Sequence, residues 1–154
     1  MTAPIRVAVT GYGVIGKRVA DAVRAMPDMH LVGVADVATD WRIRTAAELG
    51  IPVFAAGESA RHAMVSAGIP VLGTLEDLLG QVDVVVDATP KKVAAAALPL
   101  YRRAGVKVIL QGGESHATTG HSFVAQANYA SAVGRESTRV VSCNTTSIVR
   151  VLGA

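Results

Sequence analysis

Residues 5–16 constrain this chain more than any other stretch: Ile-Arg-Val-Ala-Val-Thr runs directly into Gly-Tyr-Gly-Val-Ile-Gly. The first six residues read as a strand and the glycine-rich six as a turn. Residues 15–26 read as a helix with Val19, Ala22, Val23 and Met26 on one face at three- and four-residue spacing. A lone Gly-x-Gly-x-x-Gly is weak evidence. Here it follows a strand, opens a helix, and has an acid, Asp36, 20 residues beyond Gly16. Gly11 permits the tight turn, Gly13 lets the backbone approach a pyrophosphate, and Gly16 allows close packing of helix on strand. The free N–H groups around Val14 and Ile15 then meet the phosphates at the helix N-terminus.

Asp36 ends a second predicted strand, residues 31–35. Its carboxylate can accept hydrogen bonds from both ribose hydroxyls and repels a 2′-phosphate, which favours NAD over NADP. The plainer alternative makes it a loop acid, with Arg42 and Arg44 nearby to hold a phosphate instead. Thr89, Pro90 and Gly113 end later strands at the same sheet edge, where open α/β sheets bind ligands, and are further cofactor-binding candidates.

Beyond Asp36, Thr39 or Asp40 can cap a helix running to Leu49. Gly50-Ile51-Pro52-Val53 recurs as Gly68-Ile69-Pro70-Val71, each time after a helical segment. Glycine serves there as a left-handed C-cap and proline stops the helix, and two copies cannot build a solenoid. Residues 74–77 start a short helix. Residues 82–88 are the strongest strand, an almost continuous β-branched run of the buried parallel type. A helix over 91–104, a strand over 106–110, the turn Gln111-Gly112-Gly113-Glu114 and a polar loop or helix over 115–137 follow. A strand over 138–141, a short polar turn and a helix over 147–152 complete the pattern. This alternation predicts a single α/β domain, a doubly wound, mainly parallel sheet of Rossmann type with helices on both faces.

Composition agrees. A chain of 154 residues has room for one domain with a sizeable core, and 51% hydrophobic residues with only 4% aromatics suit small helices on Val/Ile strands. The net charge of +3 comes from scattered cations, so it is no signature of nucleic-acid binding. No secretory signal opens the chain, and residues 93–100, the nearest approach to an apolar run, are too short to span a membrane. A single cysteine permits no internal disulfide and suits a reducing, cytoplasmic setting.

That cysteine, Cys143, lies in Val-Val-Ser-Cys-Asn-Thr-Thr-Ser, between the last strand and the last helix. Backbone N–H groups and the positive end of a helix dipole favour thiolate over thiol at such a turn, and the thiolate is the nucleophile. The plainer alternative is a small core residue, the usual fate of a free cysteine. Its polar flanks argue against burial.

Residues 11–22, 67–74, 84–90, 111–114 and 138–146 together resemble the archaeal-type (type II) glyceraldehyde-3-phosphate dehydrogenases, and the similarity covers nearly the whole chain. The last segment is the most specific, because it is similar to the family's nucleophile motif. The resemblance implies that Cys143 is the catalytic nucleophile and that Ser142, Asn144 and Thr145 line the substrate position. It also implies that Val14, Ile15 and Gly113 contact the nucleotide. Two departures stand out. The family often carries Lys or another non-acidic residue at the position of Asp36, in keeping with its frequent use of NADP. The chain also stops at Ala154, where the family continues into a catalytic domain with the general-base histidine and most substrate- and phosphate-binding groups. His30, His62, His116 and His121 do not match that base, and a surface-loop role is expected for His116 and His121.

The reaction implied is NAD(P)-dependent, phosphorylating oxidation of glyceraldehyde 3-phosphate. The Cys143 thiolate attacks the aldehyde to give a hemithioacetal, hydride passes to C4 of the nicotinamide, and inorganic phosphate releases the thioester as an acyl phosphate. Residues 1–154 are then a nucleotide-binding half, inactive alone: a truncated piece, a split-gene subunit or a degenerate paralogue. The implied partners are a small phosphorylated aldehyde, a separate catalytic-domain chain, and further copies in a homo-oligomer. The rival readings are half of another Cys-dependent semialdehyde dehydrogenase, and a free-standing NAD-binding sensor or docking module.

Overall fold

The computed structural model describes residues 3–153. In β1 (Ile5–Thr10), Val7 and Val9 enter one core while Ala8 enters the other, the period-2 consequence of a strand buried on both sides. The chain then runs through α1 (Val14–Ala25), β2 (Met29–Asp36), α2 (Trp41–Glu48), β3 (Val53–Ala55), α3 (Glu58–Ser66), α4 (Leu75–Leu79) and β4 (Val84–Asp87). It continues as α5 (Val93–Arg103), β5 (Lys107–Leu110), α6 (His116–Thr119), β6 (Ser122–Phe123), α7 (Ala125–Ala132), β7 (Ser137–Val140) and α8 (Cys143–Leu152). The strands form one sheet in the order β3-β2-β1-β4-β5-β7-β6, and each neighbouring pair is parallel. Helices α1, α2 and α3 cover one face through Ala20, Val23, Ile43, Ala46 and Met64. Helices α4 and α5 cover the other through Leu75, Leu78, Leu79, Ala94, Leu98 and Tyr101. This is the doubly wound Rossmann-type sheet that the alternation predicts.

Local signals account for many of the boundaries. Asp40 caps α2 by accepting the Arg42 N–H at 3.0 Å, and Thr74 opens α4 with a capping box closed by Asp77. Gly50 and Gly68 end α2 and α3 at φ +70° and +75°, the left-handed C-caps expected of the repeated Gly-Ile-Pro-Val. The second copy does not open a strand of its own; an isolated bridge from Thr74 to Ala55 and the Leu72 N–H, donated to the Val53 carbonyl at 2.9 Å, join that segment to β3.

Four expectations need correction. Helix α1 buries Gly16, Ala20 and Val23, with Val19 partly buried, while Ala22 and Met26 face outward. The small residues set that face because the helix lies so close to the sheet. Residues 115–137 hold two short helices and β6, whose two residues pair with Arg139 and Val140 and are too few to show a period in sequence. The last helix begins at Cys143, four residues before the expected start at residue 147, because the Ser142 hydroxyl caps it by accepting the Thr145 N–H at 3.2 Å.

The fourth correction concerns His121, which is buried rather than on a surface loop. Its Nδ1 lies 2.6 Å from Thr138 Oγ1 on β7 and its Nε2 lies 2.9 Å from Ser131 Oγ on α7. Burial holds its pKa below the ordinary imidazole value of 6.5, and the charges of Arg135 and His116 push the same way. The unfolded chain therefore takes up a proton that the folded chain resists. The stability His121 allows is complete above pH 6.5 and is lost as pH falls through that value towards the lower folded pKa. Urea midpoints measured from pH 8 to pH 5 should decline on the acid side, and His121→Gln should flatten the decline. A midpoint that rises on acidification contradicts the assignment.

Candidate functional site

Because the strands are parallel, every loop that follows a strand emerges at one edge of the sheet. That edge carries residues 11–13 after β1, Asp36 at the end of β2, Thr89 and Pro90 after β4, Gly112 and Gly113 after β5, and Ser142 to Thr145 after β7. All the sequence-predicted site residues therefore share one rim. Strands β4 and β5 lie between β1 and β7, so three steps of about 4.8 Å separate the glycine loop from the cysteine strand by about 14 Å. The chain crosses from one half of the sheet to the other between β1 and β4, where ligands of open α/β sheets bind.

The glycine loop fits a dinucleotide pyrophosphate. Gly13 is the N-cap of α1 in extended backbone and makes no side-chain capping bond, which leaves the first N–H groups of the helix without partners from a cap. A Cβ placed on Gly13 would meet no protein atom within 4 Å, so the space above the helix N-terminus is open. A Cβ on Gly16 would collide with the Gly11 carbonyl oxygen, and Gly11 itself turns at φ +78°. No acidic residue lies in the first turn of α1 to oppose an anion. Val14 and Ile15 are exposed beside this opening.

Asp36 is more deeply engaged than its sequence position predicts. Its Oδ2 accepts the Tyr12 N–H at 2.6 Å, and its Oδ1 accepts the N–H groups of Val37 at 2.7 Å and Ala38 at 2.9 Å. The carboxylate thus pins the glycine loop to the end of β2. Arg42 is drawn to Asp40 on its own helix, forming an ion pair there, and Arg44 donates to the Ala67 carbonyl at 2.7 Å. Beside the loop, Tyr12, Gly13, Val14, Lys17, Arg18, Asp21, Trp41 and Arg42 line a groove between α1 and α2.

No local sequence pattern marks Glu114 as a site residue. It is buried, and its Oε1 accepts the N–H groups of Lys92 at 2.6 Å and Ala95 at 3.3 Å, so it caps α5 from the loop after β5. Lys92 takes φ +77° there, the one non-glycine residue at positive φ among the described residues. Arg139 on β7 donates to the Glu114 carbonyl at 3.0 Å, linking this loop to the cysteine strand. Nothing in the local pattern pairs residue 114 with residue 92; only the parallel neighbours β4 and β5 bring them together.

At the far end of the rim, Cys143 is exposed as the first residue of α8. Its Sγ lies 3.9 Å from Asn144 Oδ1, and the Ser142 and Thr145 hydroxyls lie 2.9 Å apart across the helix start. Exposure agrees with the polar flanks and rules out the core role. No histidine bonds to Cys143 among the described residues: His116 is 3.0 Å from Ser122 Oγ, and His62 faces Glu58 on α3 at 3.9 Å. Among the same residues no group of three His, Cys, Asp or Glu side chains is placed to hold a metal ion, and no helix is long and apolar enough to cross a membrane.

The sheet, its switch point and the open glycine cradle define a Rossmann-type fold of the kind that binds nicotinamide dinucleotides in dehydrogenases. The chain belongs to the family described as dihydrodipicolinate reductase, N-terminus, whose model matches residues 5–145. It is also 53% identical over 150 residues to the glyceraldehyde-3-phosphate dehydrogenase of Thermococcus onnurineus, and 54% identical over 150 residues to that of Pyrococcus abyssi. In both cases 97% of this chain matches 45% of the relative, so the chain spans less than half the length of these enzymes. Among solved structures, aspartate semialdehyde dehydrogenase II of Vibrio cholerae shares the fold at a TM-score of 0.64 and 18% identity, covering 97% of this chain and 45% of that one. GenD2 from gentamicin A biosynthesis, solved in complex with NAD, superposes at a TM-score of 0.51 with 26% identity, over 72% of this chain and 27% of that one.

Proposed function

We propose that this chain is the nucleotide-binding half of a phosphorylating glyceraldehyde-3-phosphate dehydrogenase and that Cys143 is its nucleophile. The observation that carries the reading is the shared rim: an exposed cysteine at a helix start and an open glycine cradle stand on one edge of one parallel sheet. Identity above one half to glyceraldehyde-3-phosphate dehydrogenases supports the substrate assignment. A nicotinamide dinucleotide, when bound, supplies the hydride acceptor. Gly11, Gly13 and Gly16 shape its pyrophosphate cradle, the Val14 and Ile15 N–H groups face the phosphates, and Thr89, Pro90 and Gly113 border it. Cys143 attacks the aldehyde carbon and carries the acyl group as a thioester until phosphate takes it. Ser142, Asn144 and Thr145 orient the substrate around the sulfur.

Turnover also needs a base to take the hydroxyl proton of the hemithioacetal, a contribution worth about 10²–10⁴ in rate. No residue bonded to Cys143 here fills that role. The isolated chain should therefore bind NAD(H) with negligible oxidation of glyceraldehyde 3-phosphate. A chain supplying the remaining length of the relatives should restore activity and complete the oligomer. Calorimetry on the isolated chain beside a coupled assay with and without that partner tests both statements. Robust turnover by residues 1–154 alone would expose a base within them.

Cofactor choice rests on Asp36, which supports NAD over NADP. A carboxylate facing a 2′-phosphate should disfavour NADP by about 1–3 kcal/mol, the scale of a charged hydrogen bond lost or opposed. Asp36→Ala should narrow that gap. Because the Tyr12 N–H also loses its acceptor, the variant should weaken both nucleotides together. Titration of each variant with both cofactors decides it: equal affinities in the unaltered chain, or tighter NADP, refute the preference.

A further inference from the structure

Asp87 closes β4 and is 1% exposed, a carboxylate in the middle of a β-branched sheet. Such a group is costly unless fully hydrogen-bonded. Its Oδ1 accepts the Thr89 N–H at 2.8 Å and the Thr89 hydroxyl at 2.5 Å, while its Oδ2 accepts the Tyr101 hydroxyl from α5 at 2.7 Å. Thr10, paired in register with Asp87 at the end of β1, has its Oγ1 3.3 Å from the same tyrosine oxygen. Burial pushes the Tyr101 pKa well up, and the charge of Asp87 adds to it, so the tyrosine keeps its proton and remains a donor.

Thr89 itself is held between two loops. A Cβ on Gly11 would come within 2.8 Å of the Thr89 nitrogen, and a Cβ on Gly112 would collide with the Thr89 carbonyl oxygen. The loops after β1 and β5 thus close on the backbone of residue 89 at the switch point, and Asp87 fixes that residue from below. The acid has no other partner among the described residues than Thr89 and Tyr101.

We propose that Asp87 is a positioning residue for the dinucleotide, acting through Thr89 and anchored by Tyr101, so that cofactor affinity depends on a buried acid the cofactor does not touch. The proposal rests on the reading of this rim as a dinucleotide site. Calorimetric titration with NADH, run well below each melting midpoint, tests it on the unaltered chain and on Asp87→Asn, Asp87→Ala and Tyr101→Phe. Asparagine still accepts both Thr89 bonds, so its affinity should stay within about threefold of the unaltered chain. Alanine should weaken NADH about tenfold, the loss that follows when a charged hydrogen bond is removed. Tyr101→Phe, altered only in the core, should weaken it about threefold. A purely structural role would lower melting midpoints and leave the affinity of the folded protein unchanged. That result, or an asparagine variant as weak as alanine, overturns the proposal. If Asp87→Ala does not fold, Tyr101→Phe and Asp87→Asn decide it. Absence of NADH binding by the unaltered chain would instead overturn the site reading, and the role of Asp87 with it.

Discussion

Replacing Cys143 with serine should abolish the proposed aldehyde oxidation by this chain paired with the remaining length of its relatives, by at least about 10⁴-fold, while NAD(H) affinity changes little. A serine hydroxyl is close in size but remains protonated near neutral pH and is a far weaker nucleophile than a thiolate. The residue is exposed at the first position of α8, so the substitution disturbs no packing and the Ser142 cap persists. Iodoacetamide should modify Cys143 in the isolated chain, and prior modification should block the restored activity to the same extent. Single-turnover measurement of NADH formation reads the chemical step directly. A serine variant retaining more than about one per cent of the rate would remove Cys143 from the nucleophile role, since loss of a covalent nucleophile costs far more than that.

The glycine loop should separate folding from binding at two neighbouring positions. Gly16→Ala puts a methyl group against the Gly11 carbonyl, a backbone atom with no rotamer to escape into, at a buried position between α1 and the sheet. Overpacking of that kind costs about 1–3 kcal/mol or more, and at this size each kcal/mol lowers the melting temperature by about 2–4 °C. Binding should fall with it, because the displaced helix start carries the N–H groups proposed to face the phosphates. Gly13→Ala is the converse. Its backbone is extended and its Cβ meets no protein atom, so the melting temperature should stay within a degree or two, as it does for most surface substitutions of about ±0.5 kcal/mol. The same methyl stands where a pyrophosphate approaches, and NADH affinity should drop by about tenfold or more through the lost phosphate contacts. Melting curves and NADH titrations on the pair read both effects. A Gly13→Ala protein that binds normally would show that the phosphates lie elsewhere.

The unequal legibility of this chain follows from the range of the interactions involved. Contiguous residues determined β1, the glycine turn and the helix after it, because a strand, a tight turn and a helix N-terminus are made by neighbours in sequence. The same holds for the caps at Asp40, Gly50, Gly68 and Thr74, and for the exposure of Cys143 among polar flanks. The β-branched run over 82–88 announced a central strand, but the purpose of the acid within it was not visible there. Asp87 takes its meaning from Tyr101, 14 residues on, and from Thr10 on a strand 77 residues earlier. Glu114 likewise caps a helix that begins more than twenty residues before it. Tertiary structure alone decided which face of α1 is buried, since the nearness of the sheet favours Gly16 and Ala20 over the larger Met26. It also decided that His121 is a core residue, because Ser131 and Thr138 supply partners that no local pattern reveals. Residues that bond within a turn can be read from their order; residues that bond across the sheet acquire a role only when parallel strands bring their ends to one edge.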